Sequence, residues 1–422
     1  MTAALHGGSE LGGRELGASE LGALDWTDRV LDLRVGAVAH GGHCVARVRV
    51  DDGRERVVFV RHALPGERVH AVVTDDSGGA FCRADAIAVL EPAPGRVEPP
   101  CPWARAGGCG GCDWQHADAP TQRELKTSVL REQLQRLAGV ESDVTVEPLP
   151  LQDESSSGLL GWRHRVRLAV DAEGRAGLRA HRSHDVLPIA DCPLVPSGEL
   201  PPVLEQRFVA GDEIEVAIDA EGIRHLHPAG SRVSGPAVVQ RAIGREWHLS
   251  AGTFWQVHPA LAQTLADVVG QWAQAPTGGL AWDLYGGVGL FAAVLAEQVG
   301  ADGEVRVVES ARQTVSEGRA ALADLDQVRW TVGRVEHVLA SLPGRPDVVV
   351  ADPPRRGLGR ATVAALCART PGRVVHVACD PAALARDVAL FAAQGYDLAD
   401  LRAFDAFPMT HHMECVALFQ RP

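Results

Sequence analysis

From Pro259 onward, strand-like apolar runs alternate with helical patterns, and the residues able to do chemistry stand where the strand runs stop. Residues 280–285, 304–308, 328–332, 347–351 and 374–378 read as strands. Residues 289–299, 311–325, 334–342, 359–369 and 382–394 read as the helices between and after them. Two further strand patterns, 398–404 and 415–419, close the chain. This alternation predicts an α/β domain built on a doubly wound, largely parallel sheet, a Rossmann-like class. Ligands of such sheets bind outside the carboxyl ends of the strands. Gly286, Glu309, Asp352 and Cys379 all fall at such ends, so an enzyme acting beside a nucleotide-like cofactor is expected.

The rest of the chain is organised differently. Residues 1–24 repeat Glu-Leu-Gly among Gly, Ala and Ser, and read as a disordered tail. Residues 25–91 carry short alternating strands with glycine and acidic turns, which suggests a small β-barrel. Pro92, Pro94, Pro99 and Pro100 mark a boundary, after which a β-rich central domain is expected over 92–250 and the catalytic domain over 251–422. Within the central stretch, Thr121-Gln122-Arg123-Glu124 has the form of a capping box. Leu125, Val129, Leu134 and Leu137 give one helical face, ending at Gly139. A second helical face is formed by Leu261, Leu265, Val269 and Trp272.

A length of 422 residues calls for two or three domains, and 46% hydrophobic residues can fill their cores. No apolar run of membrane-spanning length and no signal-peptide pattern is present, so a cytoplasmic monomer without membrane contact is expected. A net charge of −13 argues against a generic nucleic-acid binder. Charge is uneven, however. Arg163, Arg165, Arg167, Arg175, Arg179 and Arg182 crowd one short stretch against Asp171 and Glu173, a candidate local basic face.

Gly286, Gly287 and Gly289 follow a strand and open a helix, where glycine lets backbone approach a ligand closely. Glu309, at the next strand end, suits a ribose diol. The loop lacks the phosphate-cradle patterns, which favours a ligand without phosphate; S-adenosylmethionine fits that description. Cys101, Cys109 and Cys112 lie close together, with Cys109-Gly-Gly-Cys112 bringing two thiolates to one centre. Cys192 is the best fourth ligand, and zinc and an iron–sulfur cluster are both chemically possible. Cys44, Cys82, Cys367 and Cys415 read as small core residues.

Six motifs then stand in order: Cys109-Gly-Gly-Cys112 with Gln115-His116; Phe254-Trp-Gln-Val257; Asp283 to Gly289; Asp352-Pro-Pro-Arg355; Cys379-Asp-Pro381 running to Leu384-Ala-Arg-Asp387; and Phe407-Pro-Met-Thr410 with Glu414. Together they resemble the RNA uracil-C5 methyltransferases, specifically the branch with an N-terminal TRAM domain and a [4Fe–4S] cluster, over about residues 29–422. The resemblance implies that Cys379 is the nucleophile and Glu414 the base. It implies S-adenosylmethionine contacts from Gln256, Tyr285, Gly287, Glu309 and Asp352. Cys101, Cys109, Cys112 and Cys192 would ligate the cluster, and the 121–138 helix would pack on the catalytic domain. The expected partner is RNA, rRNA ahead of tRNA.

The chain departs from the family pattern at several points. Asp380 replaces an Asn, Ala378 a Ser and His258 an Asn; Leu290 occupies a position that is often polar; seven residues rather than five separate Cys101 and Cys109. An extra carboxylate at Asp380 is expected to raise the neighbouring thiol. Two rival readings exist. A base-amine methyltransferase needs no nucleophilic cysteine, so Arg355 and Cys379 count against it. A catalytically idle RNA-binding iron–sulfur protein draws its weight from Asp380.

Overall fold

The computed structural model describes residues 25–49, 53, 55–151, 158–229 and 237–421; the expected N-terminal tail lies outside them. Two compact units divide the chain, Met1–Arg96 and Val97–Pro422. The expected division at residue 250 is replaced by one unit, for reasons visible in its packing.

In the first unit, β1 (Val30–Arg34), β2 (Cys44–Arg49), β3 (Glu55–Arg61), β4 (Arg68–Asp75) and β5 (Phe81–Glu91) form one sheet in the order β1-β4-β5-β3-β2. Residues just beyond β1 turn back on β2: the Gly36 amide donates to the Val45 carbonyl at 2.7 Å and the Val45 amide to the Ala37 carbonyl at 2.9 Å. The edge strands are therefore tied, which limits unpaired edge groups. Alternate residues such as Val58, Val60, Val69, Ala71 and Val73 fill the interior.

The second unit opens with α1 (Ala119–Ala138) and β6 (Val146–Pro148). A smaller sheet follows: β7 (Arg165–Val170), β8 (Ala176–Arg179), β9 (Val186–Leu187), the short α2 (Pro201–Leu204), β10 (Glu213–Ile218) and β11 (Arg224–Pro228). Its order is β11-β10-β7-β8-β9, and its neighbours pair antiparallel. Next come the hairpin β12 (Val238–Ala242) and β13 (Arg245–Leu249), then α3 (Leu261–Ala273).

The alternating part then contains β14 (Leu280–Leu284), α4 (Leu290–Val299), β15 (Glu304–Glu309), α5 (Arg312–Ala321), β16 (Val328–Val332), α6 (Val335–Val338), β17 (Val348–Ala351), α7 (Gly359–Cys367), β18 (Arg373–Ala378), α8 (Pro381–Ala392), β19 (Asp397–Asp405) and β20 (Glu414–Gln420). Eight strands join in the order β16-β15-β14-β17-β18-β20-β19-β6. The first five are parallel, β20 runs antiparallel between β18 and β19, and β6 runs parallel to β19 at the edge. Helices cover both faces, so all four residues of β17 are buried. Each fully buried Val or Leu of these layers contributes about 1.5–3 kcal/mol of transfer free energy.

Three local differences from the sequence reading have physical causes. The α1 cap is Asp118, whose side chain accepts from the Thr121 amide at 2.9 Å, and Pro120 starts the first turn; the expected capping box at Thr121 lies inside the helix. Leu137 is exposed, while Lys126 and Gln133 take buried positions on the packed face. Finally, β6 joins the catalytic sheet, and the β12–β13 hairpin sends Trp247 into the catalytic core, its indole donating to the Val288 carbonyl at 3.0 Å. Segments assigned to the central domain thus complete the catalytic layer, which is why no boundary falls at 250. Among the described residues no helix is long and apolar enough to cross a membrane.

Candidate active site

The strand ends open on a cleft of about 2160 Å³, entirely within the second unit. Gln256, Tyr285, Gly287, Glu309, Asp352, Cys379 and Glu414 all line it. One wall comes from the smaller sheet, including Arg163 and Arg165.

The loop after β14 is shaped by close approach. A Cβ on Gly286 would sit 2.5 Å from Val307 Cγ1 and 2.9 Å from Asp283 Oδ2, so no other residue fits. Gly289 has φ 85° and begins α4, a conformation that favours glycine. The Gly287 amide donates to Glu309 Oε2 at 3.3 Å; the other oxygen accepts from the Ala311 amide at 2.7 Å and the Ser310 hydroxyl at 3.1 Å. Glu309 is thereby oriented across two strand ends. Tyr285 holds a positive φ of 61°, and its phenol donates to Glu336 at 3.4 Å. Burial pushes that phenol up to about 12. Asp283 and Asp352 are both pushed up to about 7 by burial, and Asp352 and Glu309 raise Asp283 further. Leu290 is buried on the cleft wall, and His258 is buried beneath it, stacked on Trp162 with centroids 6.3 Å apart.

The thiol and the acid meet through sheet register. Across β18 and β20, Ala378 pairs with Cys415; one step onward along β18 and one step back along β20 are Cys379 and Glu414. Antiparallel pairing thus brings together residues 35 positions apart in sequence. Burial pushes the Cys379 thiol up to about 12, with Glu414 and then Asp352 adding to it and Arg355 opposing. Burial and Asp352 also raise Glu414 well above the usual carboxylate range, again opposed by Arg355. Burial thus works against the charged form of both groups, and exposed Arg355 is the cation that favours both anions.

Asp380 also has a structural part. Its side chain accepts from the Ala383 amide at 2.7 Å and caps α8, with Pro381 in the first turn. The raised thiol is the work of burial, Glu414 and Asp352.

Several positioning residues escaped the sequence reading. Lys126, the only lysine among 41 basic Lys and Arg residues, is fully buried in α1. Its ammonium donates to Asp405 at 2.5 Å and to the Phe407 carbonyl at 3.0 Å. Gln122, one turn earlier, accepts from the Met409 amide at 2.7 Å. Asp113, next to Cys112, accepts from the His411 backbone amide at 3.0 Å and pairs with its ring Nδ1 at 2.7 Å. The Asp113 and Trp114 amides both donate to the Met409 carbonyl. Residues 406–413, which lead into Glu414, are therefore held from outside their own sheet. A lysine on an otherwise buried helical face was the available signal. Likewise, Asp387 accepts from the Leu358 amide at 2.7 Å, the Gly359 amide at 3.0 Å and His376 Nε2 at 3.2 Å, fixing the turn after Asp352-Pro-Pro-Arg355.

The four predicted thiols line one small pocket with Gln115, Arg163 and Asp191. The Gln115 amide nitrogen donates to Cys112 Sγ at 3.1 Å, its oxygen accepts from the Cys101 amide at 3.1 Å, and the Gly111 amide donates to Cys109 Sγ at 3.3 Å. Among the described residues, no group of three or more His, Cys, Asp or Glu is close enough to hold a single metal ion. The expected basic face is largely neutralised: Arg167 pairs with Glu213 and Glu215, Arg175 with Asp171 and Glu173, and Arg179 with Glu213.

Comparison with known proteins bears on this geometry. The family described as tRNA (Uracil-5-)-methyltransferase matches residues 344–422, which hold Asp352, Cys379 and Glu414. An uncharacterised RNA methyltransferase of Streptomyces avermitilis is 44% identical over 92% of this chain and 98% of its own length. The 23S rRNA (uracil(1939)-C(5))-methyltransferase RlmD of Alkalilimnicola ehrlichii is 32% identical over 92% of this chain and 96% of its own length. The chain belongs to the RNA (uracil-C5) methyltransferase family. Its fold matches that of the Pyrococcus abyssi tRNA (uracil-54, C5)-methyltransferase, solved with S-adenosyl-L-homocysteine. That match has a TM-score of 0.66 at 21% identity, over 92% of this chain and 99% of that one.

Proposed function

We propose that this methyltransferase converts a uridine of RNA to 5-methyluridine through a covalent bond between Cys379 and C6 of the base. The observation that carries the reading is the β18–β20 register, which opens Cys379 and Glu414 onto the cleft that Glu309 and Asp352 also line. The donor set fits S-adenosylmethionine: the carboxylates of Glu309 and Asp352, both on the cleft, suit a ligand bearing sulfonium and ammonium charges and a ribose diol. When bound, that cofactor supplies an electrophilic methyl group. Gln256, Tyr285, Gly287, Glu309 and Asp352 would hold it.

The protein's own residues do the rest. The Cys379 thiol gives its proton to solvent in the open cleft, and the thiolate adds to C6, opening the C5–C6 double bond and leaving C5 electron-rich. After C5 gains the methyl group, the Glu414 carboxylate removes the C5 proton, the double bond re-forms and the thiolate leaves. Arg355 favours both anions as they develop. The target base must be turned out of its RNA structure to reach the thiol.

The four-thiol pocket fits a [4Fe–4S] cluster better than zinc. The thiols share one pocket with amide donors to sulfur, and a cuboidal cluster is held by four cysteine thiolates. Protein purified without oxygen should be brown; a colourless protein with one zinc would overturn the cluster. We also read the first unit as a TRAM-like barrel, on its tied five-strand sheet. For the substrate we choose 23S rRNA, supported by the RlmD relative at 32% identity against 21% for the tRNA enzyme. Nucleoside mass spectrometry of rRNA and tRNA from a deletion strain tests this. Loss of 5-methyluridine from 23S rRNA supports it, loss from tRNA moves the substrate, and no loss from either removes the reading.

A further inference from the structure

Arg165 and Arg167 stand two residues apart on β7, so their side chains leave the same face of the smaller sheet. Their fates differ because of what β10 sets opposite them. Arg167 faces Glu215 and bonds to it at 2.5 Å, with Glu213 at 3.6 Å. Arg165 faces Ala217 and gains no carboxylate. Its Nη1 donates to the Thr253 carbonyl at 2.6 Å, while its Nε and Nη2 are shielded from water and have no hydrogen-bond partner. Burial works against its charge, and Glu215 eases this only in part. A guanidinium kept half-buried with unmet donors is costly unless something else supplies the acceptor. Arg165 lines the cleft that holds Cys379 and Glu414; Arg163 lines the same wall and rests its guanidinium over Trp162.

We propose that Arg165 is a binding site for a phosphodiester of the RNA strand, gripping its two non-bridging oxygens through the fork that β10 leaves unpaired. The proposal rests on the RNA reading above and narrows it: of the arginines between 163 and 182, Arg165 acts on the strand and Arg167 does not. A phosphodiester matches the planar fork of arginine, which donates two parallel N–H bonds. It would sit on the cleft wall opposite the cofactor loop, where a strand delivering one turned-out base must run. Arg167 is spent on Glu213 and Glu215, and exposed pairs of that kind contribute little.

The test is salt-dependent binding of protein-free 23S rRNA fragments by the full chain, with S-adenosylhomocysteine binding measured in parallel. Arg165→Ala should weaken RNA binding roughly tenfold or more. It should also lower the log–log salt slope by about 0.7–0.9, the value of one phosphate contact. Arg165→Lys should keep the slope, because the charge remains, yet bind less tightly because the fork is lost. Arg167→Ala should leave both within about twofold, in keeping with a weak surface pair. Unchanged S-adenosylhomocysteine binding shows that each variant is folded. If Arg165→Ala weakens S-adenosylhomocysteine binding and leaves the RNA slope intact, the fork serves the methionine carboxylate and the proposal is overturned. An unchanged slope with unchanged cofactor binding overturns it too. A wild-type protein that binds no RNA removes the underlying reading instead.

Discussion

The two halves of the eight-stranded sheet build their parts of the site by different means. In the parallel half, β14 to β18, each proposed site residue stands at or just past the end of its own strand: Gly286, Glu309, Asp352, Cys379. In the antiparallel half, Glu414 begins β20, after a loop held partly from elsewhere in the chain. That loop borrows Gln122 and Lys126 from α1 and Asp113 from the cysteine loop, and the sheet edge borrows β6. The parallel half is assembled from local motifs, whereas the antiparallel half is assembled from distant ones. Methyl-donor binding and nucleophilic attack should therefore tolerate changes elsewhere in the chain better than proton removal does.

The largest expected effect sets one half against the other within the reaction. Cys379→Ala should abolish methylation and every covalent RNA adduct. Glu414→Gln should lose about 10²–10⁴-fold in turnover and accumulate an adduct with methylated RNA, because attack and methyl transfer precede proton removal. A denaturing gel with substrate RNA and S-adenosylmethionine separates them. An adduct in Cys379→Ala would mean another nucleophile; full turnover by Glu414→Gln would move the base to His411 or His412.

A smaller effect probes the borrowed support. Lys126→Met strands a buried Asp405 and should cost about 3–5 kcal/mol in denaturant unfolding. Pairing it with Asp405→Leu should recover most of that loss, since both charges then leave together. A single variant as stable as wild type would show that the loop holds without α1.

The smallest effect concerns pH in the parallel half. Asp283 is raised from the usual carboxylate value to about 7 by burial. Between about pH 4 and 7 the folded state holds a proton that the unfolded state has released, so this group lowers stability as pH rises through that window. Asp283→Asn should accordingly be more stable than wild type at pH 8, by roughly 2–4 kcal/mol at most, with the difference shrinking toward pH 5. Equal differences at both pH values would mean that the carboxyl does not titrate as its burial dictates.

Legibility followed the same divide. Each strand end, the glycine turn and the thiol before Pro381 are set by a few neighbouring residues, so local pattern located them. Glu414 was named only through the family pattern, and its approach to Cys379 follows from the Ala378–Cys415 register. Asp380 follows the same divide: sequence shows an acid beside a thiol, and only the backbone turn shows that its oxygen also caps a helix. Short segments that cross layers were the least legible. Three residues of β6 carry too little pattern to reveal that they extend a sheet more than 100 residues away.

By itself, the sequence determined the alternating α/β class, the strand-end placement of the cofactor and nucleophile residues, and the presence of four thiols of ligand type. Those follow from periodicity and from backbone rules that act over a few residues. Tertiary structure alone decided which arginine is left unpaired, which carboxylate faces the thiol and which cation locks the loop beside it. Each of these depends on what stands opposite across a strand pair or a packed helix, and burial then sets the charge each group can carry.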